Sequence, residues 1–524
     1  MERTGTKGTW RNRTVFFAGI LLASFGFVFF LKQARGIPDA FAVSGNHALF
    51  VTLFDILMTA ALLGAVLLRL PAVSHRTGIR LPKLTAGEKG YLALLFVIYT
   101  FWALAFIHGR YGPDEIMRMD IPEFIFNHGY LPRGWEEEIR DPNWGVSYGF
   151  DISFPYLMGS YFMEIASLLF RPRAAVYYAC RLSSILSMLG VAVLAMRISR
   201  RLFSTEGFRR VFICSLTLLP QAVFLGSYFN LDTFSLFTAM LIFYAWIRCF
   251  ETKWSPFSCA LLGAGMGLCL ISYKFAWGYL PASFCLYCLW SAAHRKEYGW
   301  KRFLLRGILM VCVTLAVCGW SFLRNALLYN GDFLSLHAGN SWAEMYAADA
   351  LKPSLKETMA GGGMTIAGML RETDWIPRTV KSLIGVFGYM AIELDRWIYL
   401  VYLLLAGTGI CGWILAAVLK RKGREIWRIV PGLVIGAAFA VGISVYNSWS
   451  WDYQPQGRYI ITVLPLVCLL AAKGHESLCS LAEGKRWTGK LSRIAGNCIC
   501  LYMLYTVFSG FLRCLYWYGY IQLF

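Results

Sequence analysis

The sequence predicts an all-α polytopic membrane protein with about thirteen transmembrane helices and two large outer loops. Of its 524 residues, 57% are hydrophobic and only 15% are charged, a composition too apolar for a soluble chain. Many apolar runs have about 17 to 23 residues, the length needed to cross ~30 Å of hydrocarbon at 1.5 Å per residue. Short segments of alternating hydrophobicity, which a membrane β-barrel requires, do not occur.

The apolar runs place the helices in order along a single membrane domain, residues 1–524. The predicted spans are 14–31, 48–68, 90–107, 174–196, 211–229, 234–250, 257–272, 276–292, 304–321, 397–417, 428–446, 459–472 and 494–513. The first run has no small-residue cleavage site and is followed by Lys32 and Arg35. It therefore predicts a retained helix rather than a removed signal peptide.

The charges indicate how these helices are oriented. The net charge is +20, which first suggests a nucleic-acid partner. With the N-terminus inside, most of the 50 Lys and Arg residues but only about a quarter of the 30 acidic residues lie on the inner side. The basicity is thus a topology signal that argues against nucleic-acid binding. It predicts a multi-pass protein of a cell membrane with a cytoplasmic N-terminus.

This topology creates two large outer loops, at 108–173 and 322–396. Segment 153–170 of the first loop is apolar, but as a span it would move the arginine run at 197–210 outside, and Glu164 lies in its middle. We therefore interpret 153–170 as a re-entrant or surface-lying helix on the outer face. Segment 382–394 of the second loop is interpreted in the same way.

Cysteine and histidine spacing gives no sign of a disulfide framework or a zinc site. All 15 cysteines lie in predicted helices or near the inner side. Asp114 and Glu115 could help to hold a divalent cation, but the sequence offers no complete ligand set. We therefore predict no metal and no certain cofactor.

Polar residues instead collect at the outer ends of the predicted helices. At least five separate turns supply acids and bases to this one face, a pattern that describes a binding site better than a surface. The residues are Asp114, Glu115, Asp151, Asn230, Asp232, Lys274, Arg324, Gln456 and Arg458.

Structural interpretations exist for the acidic members of this set. In Pro113-Asp114-Glu115, proline followed by acids is an ordinary helix start that complements the helix dipole. A carboxylate fixed there is equally well placed to take a proton from a hydroxyl. Asp232 could simply cap the helix that follows it.

The basic members are also open to two interpretations. Lys274 could reach to lipid headgroups or hold a lipid phosphate. Arg458, which follows the Trp449-Ser450-Trp451 stretch, could anchor the chain at the interface or bind phosphate with both guanidinium nitrogens. Tryptophans mark the membrane interface, and they also stack on sugar rings. Two charges inside predicted helices, Asp55 and Arg181, have no explanation from the sequence, although an intramembrane arginine normally has a partner.

The ordered polar set resembles the membrane-embedded glycosyltransferases of the GT-C superfamily, and most closely a bacterial family of unknown function placed near it. That family's pattern is matched in order between about residues 110 and 470. The matches are Pro113-Asp114-Glu115, Leu219-Pro220 leading to Asp232, Lys274, Arg324-Asn325 with Tyr329 to Asp332, Phe387-Gly388, and Gln456-Gly457-Arg458-Tyr459. The pattern continues with Pro and Ala-His where this chain has Ile116-Met117-Arg118.

The resemblance implies an inverting transferase that moves a sugar from a polyprenyl-phosphate carrier to a glycan or lipid acceptor on the outer face. It implies catalytic roles for Asp114 and Glu115. It implies substrate binding by Asp232, Lys274, Arg324, Arg458, Asp151 and Gln456.

Two other classes of function remain open from the sequence. A transporter or lipid-linked sugar flippase would need polar residues along a path through the bilayer. A non-catalytic scaffold for envelope assembly would not gather the charged turns around one pocket.

Overall fold

The computed structural model describes residues 4–35, 46–77, 83–106, 111–419, 426–482 and 488–520. Positions 108–110 of the predicted first outer loop lie outside these ranges. The described residues form 22 α-helices, several short 3-10 helices and one two-stranded hairpin.

The helices of the first half carry the first loop and the central spans. They are α1 (Thr4–Ala34), α2 (Asn46–Leu67), α3 (Pro71–Thr77), α4 (Ala86–Ala105), α5 (Glu115–His128), α6 (Phe154–Leu169), α7 (Arg173–Tyr178), α8 (Leu182–Leu202), α9 (Glu206–Thr217), α10 (Pro220–Ser227), α11 (Asp232–Glu251), α12 (Pro256–Leu270) and α13 (Tyr279–Ala293).

The second half carries the second loop and the remaining spans. Its elements are α14 (Arg295–Tyr298), α15 (Trp300–Leu328), α16 (Leu336–Tyr346), α17 (Ile366–Glu372), α18 (Trp375–Gly385), β1 (Val386–Phe387), β2 (Ile392–Glu393), α19 (Arg396–Val418), α20 (Val430–Ser450), α21 (Leu464–Ala482) and α22 (Thr488–Trp517).

The predicted class, an all-α polytopic membrane protein, is confirmed. Within the described ranges, ten helices are long and apolar enough to cross a membrane. They coincide with ten of the thirteen predicted spans. The other three fall on the bent pair α9–α10 and on α12 and α13, which have 15 residues each. The count of thirteen therefore remains a prediction.

Proline explains why the predicted span 211–229 is not one straight helix. Pro220 has no amide hydrogen and disfavours helical geometry in Leu219, so α9 ends at Thr217 and α10 starts afresh at Pro220. The two axes meet at 49°. If the pair crosses the membrane, it does so as a broken span.

Segment 382–394 differs from the helix predicted for it. Helix α18 stops at Gly385, where the amide of Val386 donates to the Gln221 side chain at 3.1 Å. Strands β1 and β2 then pair antiparallel, with Phe387 opposite Ile392. Strand pairs this short produce no periodic signal from which a sequence could predict them.

Segment 153–170 forms helix α6, whose 16 residues are fewer than a span needs. It packs along α5, where Met119 and Ile125 are buried together with Tyr156 and Tyr161 of α6. Phe229, in the turn between α10 and α11, belongs to the same apolar cluster. This packing fixes the start of α5 against the ends of the central helices. The interpretation of α6 as re-entrant or surface-lying remains a prediction.

A buried ion cluster joins the first two helices to α6 and accounts for Asp55. The Lys32 ammonium lies 2.7 Å from the Asp55 carboxylate and 2.6 Å from that of Glu164. Arg35 lies 3.0 Å from Glu164. Two cations thus balance two anions, so no charge is buried alone.

Candidate active site

Asp114 lies in a strained turn directly before α5. Its backbone adopts φ 61° and ψ 8°, the left-handed region that few residues other than glycine occupy. The turn is held close to α10, since a Cβ on Gly112 would lie 2.3 Å from the Tyr228 ring. Strain of this kind persists only where the surroundings enforce it, and it is common at functional sites.

The Asp114 carboxylate is paired with an arginine 344 positions later in the chain. The Nη2 atom of Arg458 donates to Oδ2 of Asp114 at 2.6 Å, and its Nη1 atom donates to the carbonyl of Pro113 at 3.2 Å. Arg118 lies 3.9 Å from the same carboxylate oxygen. Among the described residues, none donates to Oδ1. The Asp114 side chain is 29% exposed.

Asp114 is charged in this environment. Burial would raise its pKa, but the guanidinium groups of Arg458 and Arg118 and the hydrogen bond from Arg458 outweigh burial and lower the pKa below its usual value of 3.8. The carboxylate is therefore ionised at neutral pH.

Gly457 explains how Arg458 reaches Asp114. The chain runs so close to α18 that a Cβ at position 457 would lie 2.0 Å from the Leu383 backbone nitrogen. Only glycine fits at this crossing. The glycine of the Gln-Gly-Arg-Tyr sequence is therefore required for packing.

A cavity of about 660 Å³ lies beside the pair and is lined by several separate segments. Its charged lining residues are Asp114, Arg118, Asp151, Lys274 and Asp452. Lys274 lies 3.6 Å from Asp151, and both side chains are partly exposed. The structure thus gathers Asp114, Asp151 and Lys274 around one space, and Arg458 contacts Asp114 without being part of the lining.

Asp232 lies behind this wall and has no hydrogen-bond partner in the described part of the chain. It is 1% exposed, and neither carboxylate oxygen accepts a hydrogen bond from another residue. The charges of Arg458, Arg118 and Asp114 all act on it. It does not cap α11, because Asn230 accepts from the Thr233 amide at 3.0 Å instead. A buried carboxylate without hydrogen bonds is rare and calls for a functional explanation.

Arg118 lines the cavity but is not among the candidate residues predicted from the sequence. It is buried, its Nε and Nη1 atoms have no hydrogen-bond partner among the described residues, and its guanidinium lies over the rings of Tyr148 and Tyr273 at 4.5 and 5.3 Å. The signal was present in the spacing, because residues four apart on a helix share a face and Arg118 is four after Asp114.

Glu115, predicted to be catalytic, is occupied elsewhere. Both of its oxygens accept from Arg181, at 2.8 and 2.7 Å, and Oε1 also accepts from the Phe229 amide at 2.7 Å. The residue is 1% exposed and is not part of the cavity lining. It is the partner that the intramembrane Arg181 required. This geometry suits a positioning residue better than a catalytic one.

Four predicted binding residues also lie outside the cavity lining, namely Asp232 and Arg458, described above, and Arg324 and Gln456. Arg324 donates to the Pro132 carbonyl and to Asn325, so it fastens the first loop to the end of α15. Gln456 shapes the turn before Arg458, and its backbone amide donates to the Gln454 carbonyl at 2.8 Å. Gln454 lines the cavity in its place. Sequence spacing cannot show which of two glutamines a tight turn directs inward.

A divalent cation finds no ready ligand set in the described residues. No group of three or more His, Cys, Asp or Glu side chains is close enough to hold one. The Asp114 carboxylate is paired with arginine, and the Glu115 carboxylate is fully bonded. The residues present therefore do not fit a metal site of protein ligands alone.

No protein-family model matches this chain, and no curated protein matches it. Among solved structures, ArnT from Cupriavidus metallidurans bound to undecaprenyl phosphate is 14% identical with a TM-score of 0.45, covering 82% of this chain and 73% of ArnT. The archaeal oligosaccharyltransferase AglB from Archaeoglobus fulgidus, in complex with an inhibitory peptide and a dolichol-phosphate, is 14% identical with a TM-score of 0.44, covering 82% of this chain and 56% of AglB. Similarities at this level carry no argument about the activity of this chain.

Proposed function

We propose that this chain is a membrane glycosyltransferase that moves a sugar from a polyprenyl-phosphate carrier to a hydroxyl of a glycan or lipid acceptor. The observation that carries the proposal is the contact between Asp114 and Arg458 beside the cavity. A carboxylate and a guanidinium that are 344 positions apart in the chain meet at a strained turn. A second arginine, Arg118, and a second carboxylate, Asp232, are buried next to them. Positive residues favour the cytoplasmic side, so we place the cavity on the other side of a cell membrane.

The reaction needs a base and a cationic pocket. The acceptor oxygen attacks the anomeric carbon, the bond from that carbon to the carrier phosphate breaks, and the phosphate leaves with the electron pair. Asp114 accepts the acceptor's proton on its unbonded Oδ1 atom. Single displacement inverts the anomeric centre.

Three cations are available for the leaving phosphate. Arg458 and Arg118 are both buried and offer donors without hydrogen-bond partners in the described ranges, at Nε of Arg458 and at Nε and Nη1 of Arg118. Lys274 offers an ammonium group at the cavity wall. Fixed donors aimed at developing negative charge are usually the largest contribution to catalysis of this kind.

The pairing of Asp114 with Arg458 links donor binding to the strength of the base. Paired with Arg458, Asp114 is a weak base because its pKa is low. A phosphate that draws Arg458 toward itself weakens that pairing and strengthens the base. Asp232 supplies a buried carboxylate that can accept sugar hydroxyls as the arginines turn to the phosphate.

The remaining predicted residues have supporting roles in this proposal. Glu115 with Arg181 positions the strained turn, and Arg324 fastens the first loop. Asp151 orients Lys274, and Gln456 shapes the approach to Arg458. No step is assigned to a metal ion.

The test compares Asp114→Asn with the parent protein in cells from which the gene has been deleted. We expect the parent gene to restore the missing glycan. Asp114→Asn should be made at normal levels, lose ~10² to 10⁴-fold of the transfer rate, and let carrier-linked sugar accumulate. The matched control is Asp349→Asn, an exposed acid that pairs with Lys352, which should behave as the parent. Transfer by Asp114→Asn at near the parental rate would show that the proposed base is wrong.

A transporter or flippase fits the described residues less well. Charges inside the spans are paired locally, as Arg181 is with Glu115 and Lys32 with Asp55. Both carboxylate oxygens of Asp232, two nitrogens of Arg118 and one nitrogen of Arg458 are instead buried beside the cavity without hydrogen-bond partners among the described residues. A scaffold would have no need to bury them there.

A further inference from the structure

A second constellation lies on the cavity wall, away from the charged pair. Trp144 of the first loop and Trp451 after α20 both line the cavity, as does Asp452. The ammonium of Lys356, from the second loop, lies 4.6 Å from the centre of the Trp144 ring and 5.5 Å from that of Trp451. Three distant segments thus meet at one point, which we call the tryptophan clamp: Trp144, Lys356, Trp451 and Asp452.

Lys356 holds the clamp together. Its side chain is 8% exposed, its Nζ atom has no hydrogen bond among the described residues, and the nearest anion is the Asp452 carboxylate at 3.5 Å. The attraction between a cation and an aromatic face is stronger when the cation is shielded from water. Lys356 therefore fixes both indole rings before any ligand arrives.

The surrounding backbone is equally well fixed. Asp141 accepts from the amides of Asn143 and Trp144, each at 2.8 Å. The amide of Ala348 donates to the Asn143 carbonyl at 2.9 Å. Trp449 donates its indole N–H to the Met364 carbonyl at 2.6 Å. Both tryptophans of the clamp are therefore carried on braced segments.

A chain of polar contacts joins the clamp to the charged pair. Asp452 accepts from the Gln454 amide, and Gln454 in turn accepts from the Tyr459 hydroxyl. Arg458 donates to Tyr459 at 2.9 Å and to Asp114 at 2.6 Å. The tryptophan clamp and the pair Asp114–Arg458 are therefore connected, with the side chains of Gln454 and Tyr459 between them.

Membrane anchoring does not explain this arrangement. An interfacial tryptophan lies among lipid headgroups, as the 72% exposed Trp300 can. In the clamp, a lysine is buried against both rings and a carboxylate stands beside them. Flat apolar rings bordered by a few fixed polar groups are typical of a small-molecule site.

We propose that the tryptophan clamp is a saccharide-binding subsite for the acceptor, so the acceptor is a glycan rather than a simple lipid. The inference rests on the proposed transferase function. Sugar rings present an apolar C–H face that packs on indole, and their hydroxyls donate to groups such as the Asp452 carboxylate and the Gln454 amide. In the proposed function, Arg458, Arg118 and Lys274 bind the carrier phosphate. The tryptophan clamp is therefore available for the acceptor.

The test measures binding of tetrasaccharides of glucose, galactose, mannose and N-acetylglucosamine to the purified full chain in nanodiscs that contain saturating undecaprenyl phosphate. We expect at least one tetrasaccharide to bind the parent protein. Trp451→Ala and Lys356→Met should each weaken that binding about tenfold or more. Trp300→Ala, an exposed tryptophan outside the cavity lining, should not change it.

Three comparisons separate the possible causes of an effect. Undecaprenyl phosphate should bind Trp451→Ala and Lys356→Met as it binds the parent, which shows that the variants are folded. Trp451→Phe, which keeps a ring, should retain part of the saccharide affinity. Sugar transfer by the parent and by Asp114→Asn is measured separately from saccharide binding, so the clamp and the proposed base can fail independently of each other.

The inference is overturned if no tetrasaccharide binds, or if binding is unchanged in both clamp variants. It is also overturned if a tetrasaccharide binds only in nanodiscs that lack undecaprenyl phosphate, because the clamp would then belong to the donor.

Discussion

Single side chains in this protein are placed so that their chemistry depends on their neighbours, and Asp120 shows this near the proposed site. It lies on α5, two residues after Arg118. Burial, followed by the charges of Glu123 and Asp141, raises the pKa of Asp120 to about 7. Tyr177 lies near the same carboxylate, and Glu123 is paired with Arg173 at 2.9 Å.

A raised carboxyl pKa makes folding less favourable as pH rises. The unfolded chain loses the Asp120 proton near pH 3.8 and the folded chain only near pH 7, so stability falls between these values and the loss is complete above pH 7. We expect Asp120→Asn to stabilise the protein at pH 8 by on the order of 1 kcal/mol, after discounting for solvent screening, and the gain to shrink toward pH 4.

The measurement is the thermal unfolding midpoint of both proteins across that range. Asp374→Asn, at an exposed acid 74% open to solvent, serves as the control and should leave the midpoint unchanged at every pH. A loss of stability in Asp120→Asn at pH 8 would contradict the assignment.

Residue identities near the proposed site were easier to predict than residue roles. The sequence singled out Asp114 and Arg458, and the structure places them in contact. It also singled out Glu115 and Gln456, whose side chains face elsewhere. Asp114 and Glu115 differ in role because only Glu115 is fully buried at the start of the helix. Gln454 and Gln456 differ because the turn directs only Gln454 into the cavity lining. Neither is visible in a single sequence.

At the scale of elements, the pair Glu115–Arg181 holds helix α5 against the start of α8. The guanidinium also donates to the carbonyls of Ala103 and Phe106 at the end of α4. One arginine thus ties three helix ends together beneath the turn that carries Asp114. The contact spans 66 positions of sequence, so the sequence could indicate that Arg181 needed a partner but could not name it.

Breaking this pair should be costly. We expect Arg181→Met to lower the free energy of unfolding by about 3 to 5 kcal/mol, because it leaves the Glu115 charge buried and unpaired. The double variant Arg181→Met/Glu115→Gln should recover much of that loss. Unfolding midpoints in detergent for both single variants and the double variant give the coupling energy.

The control for this pair is the similar contact between Arg173 and Glu123, with the arginine 85% exposed. Arg173→Met should change stability by less than about 1 kcal/mol, because exposed pairs contribute little. Additive effects of the two substitutions at 115 and 181 would mean that the pair does not act as a unit.

Helix existence was largely predictable, because twenty apolar residues in a row have few alternatives in a membrane. The exceptions have local causes. Pro220 breaks a predicted span, and Val386 leaves its helix to bond with Gln221. The first exception depends on a single proline and the second on a single tertiary contact. A hydropathy pattern detects neither.

For the whole molecule, the arrangement of loops determines which side of the membrane the cavity faces. The first loop contacts the second, since the amide of Ala348 donates to the Asn143 carbonyl at 2.9 Å and Tyr329 donates to the Arg133 carbonyl at 2.8 Å. Both loops therefore lie on one side of the molecule. The connections that carry Lys253, Arg295 and Lys296 follow α11 and α13, two helices that begin just after the cavity-lining residues Leu231 and Phe275.

The distribution of lysine and arginine then predicts that the loops are outside and these basic connections inside. An epitope tag inserted at Gly362, which is exposed in the second loop, should be detected by antibody on intact cells or spheroplasts. The same tag inserted after Lys253, whose side chain is 77% exposed, should be detected only after the membrane is permeabilised.

Each tagged protein must retain the function of the parent for its result to count. Detection of both tags without permeabilisation would contradict the topology. Detection of only the Lys253 tag would put the cavity in the cytoplasm, where the proposed outer acceptor could not reach it.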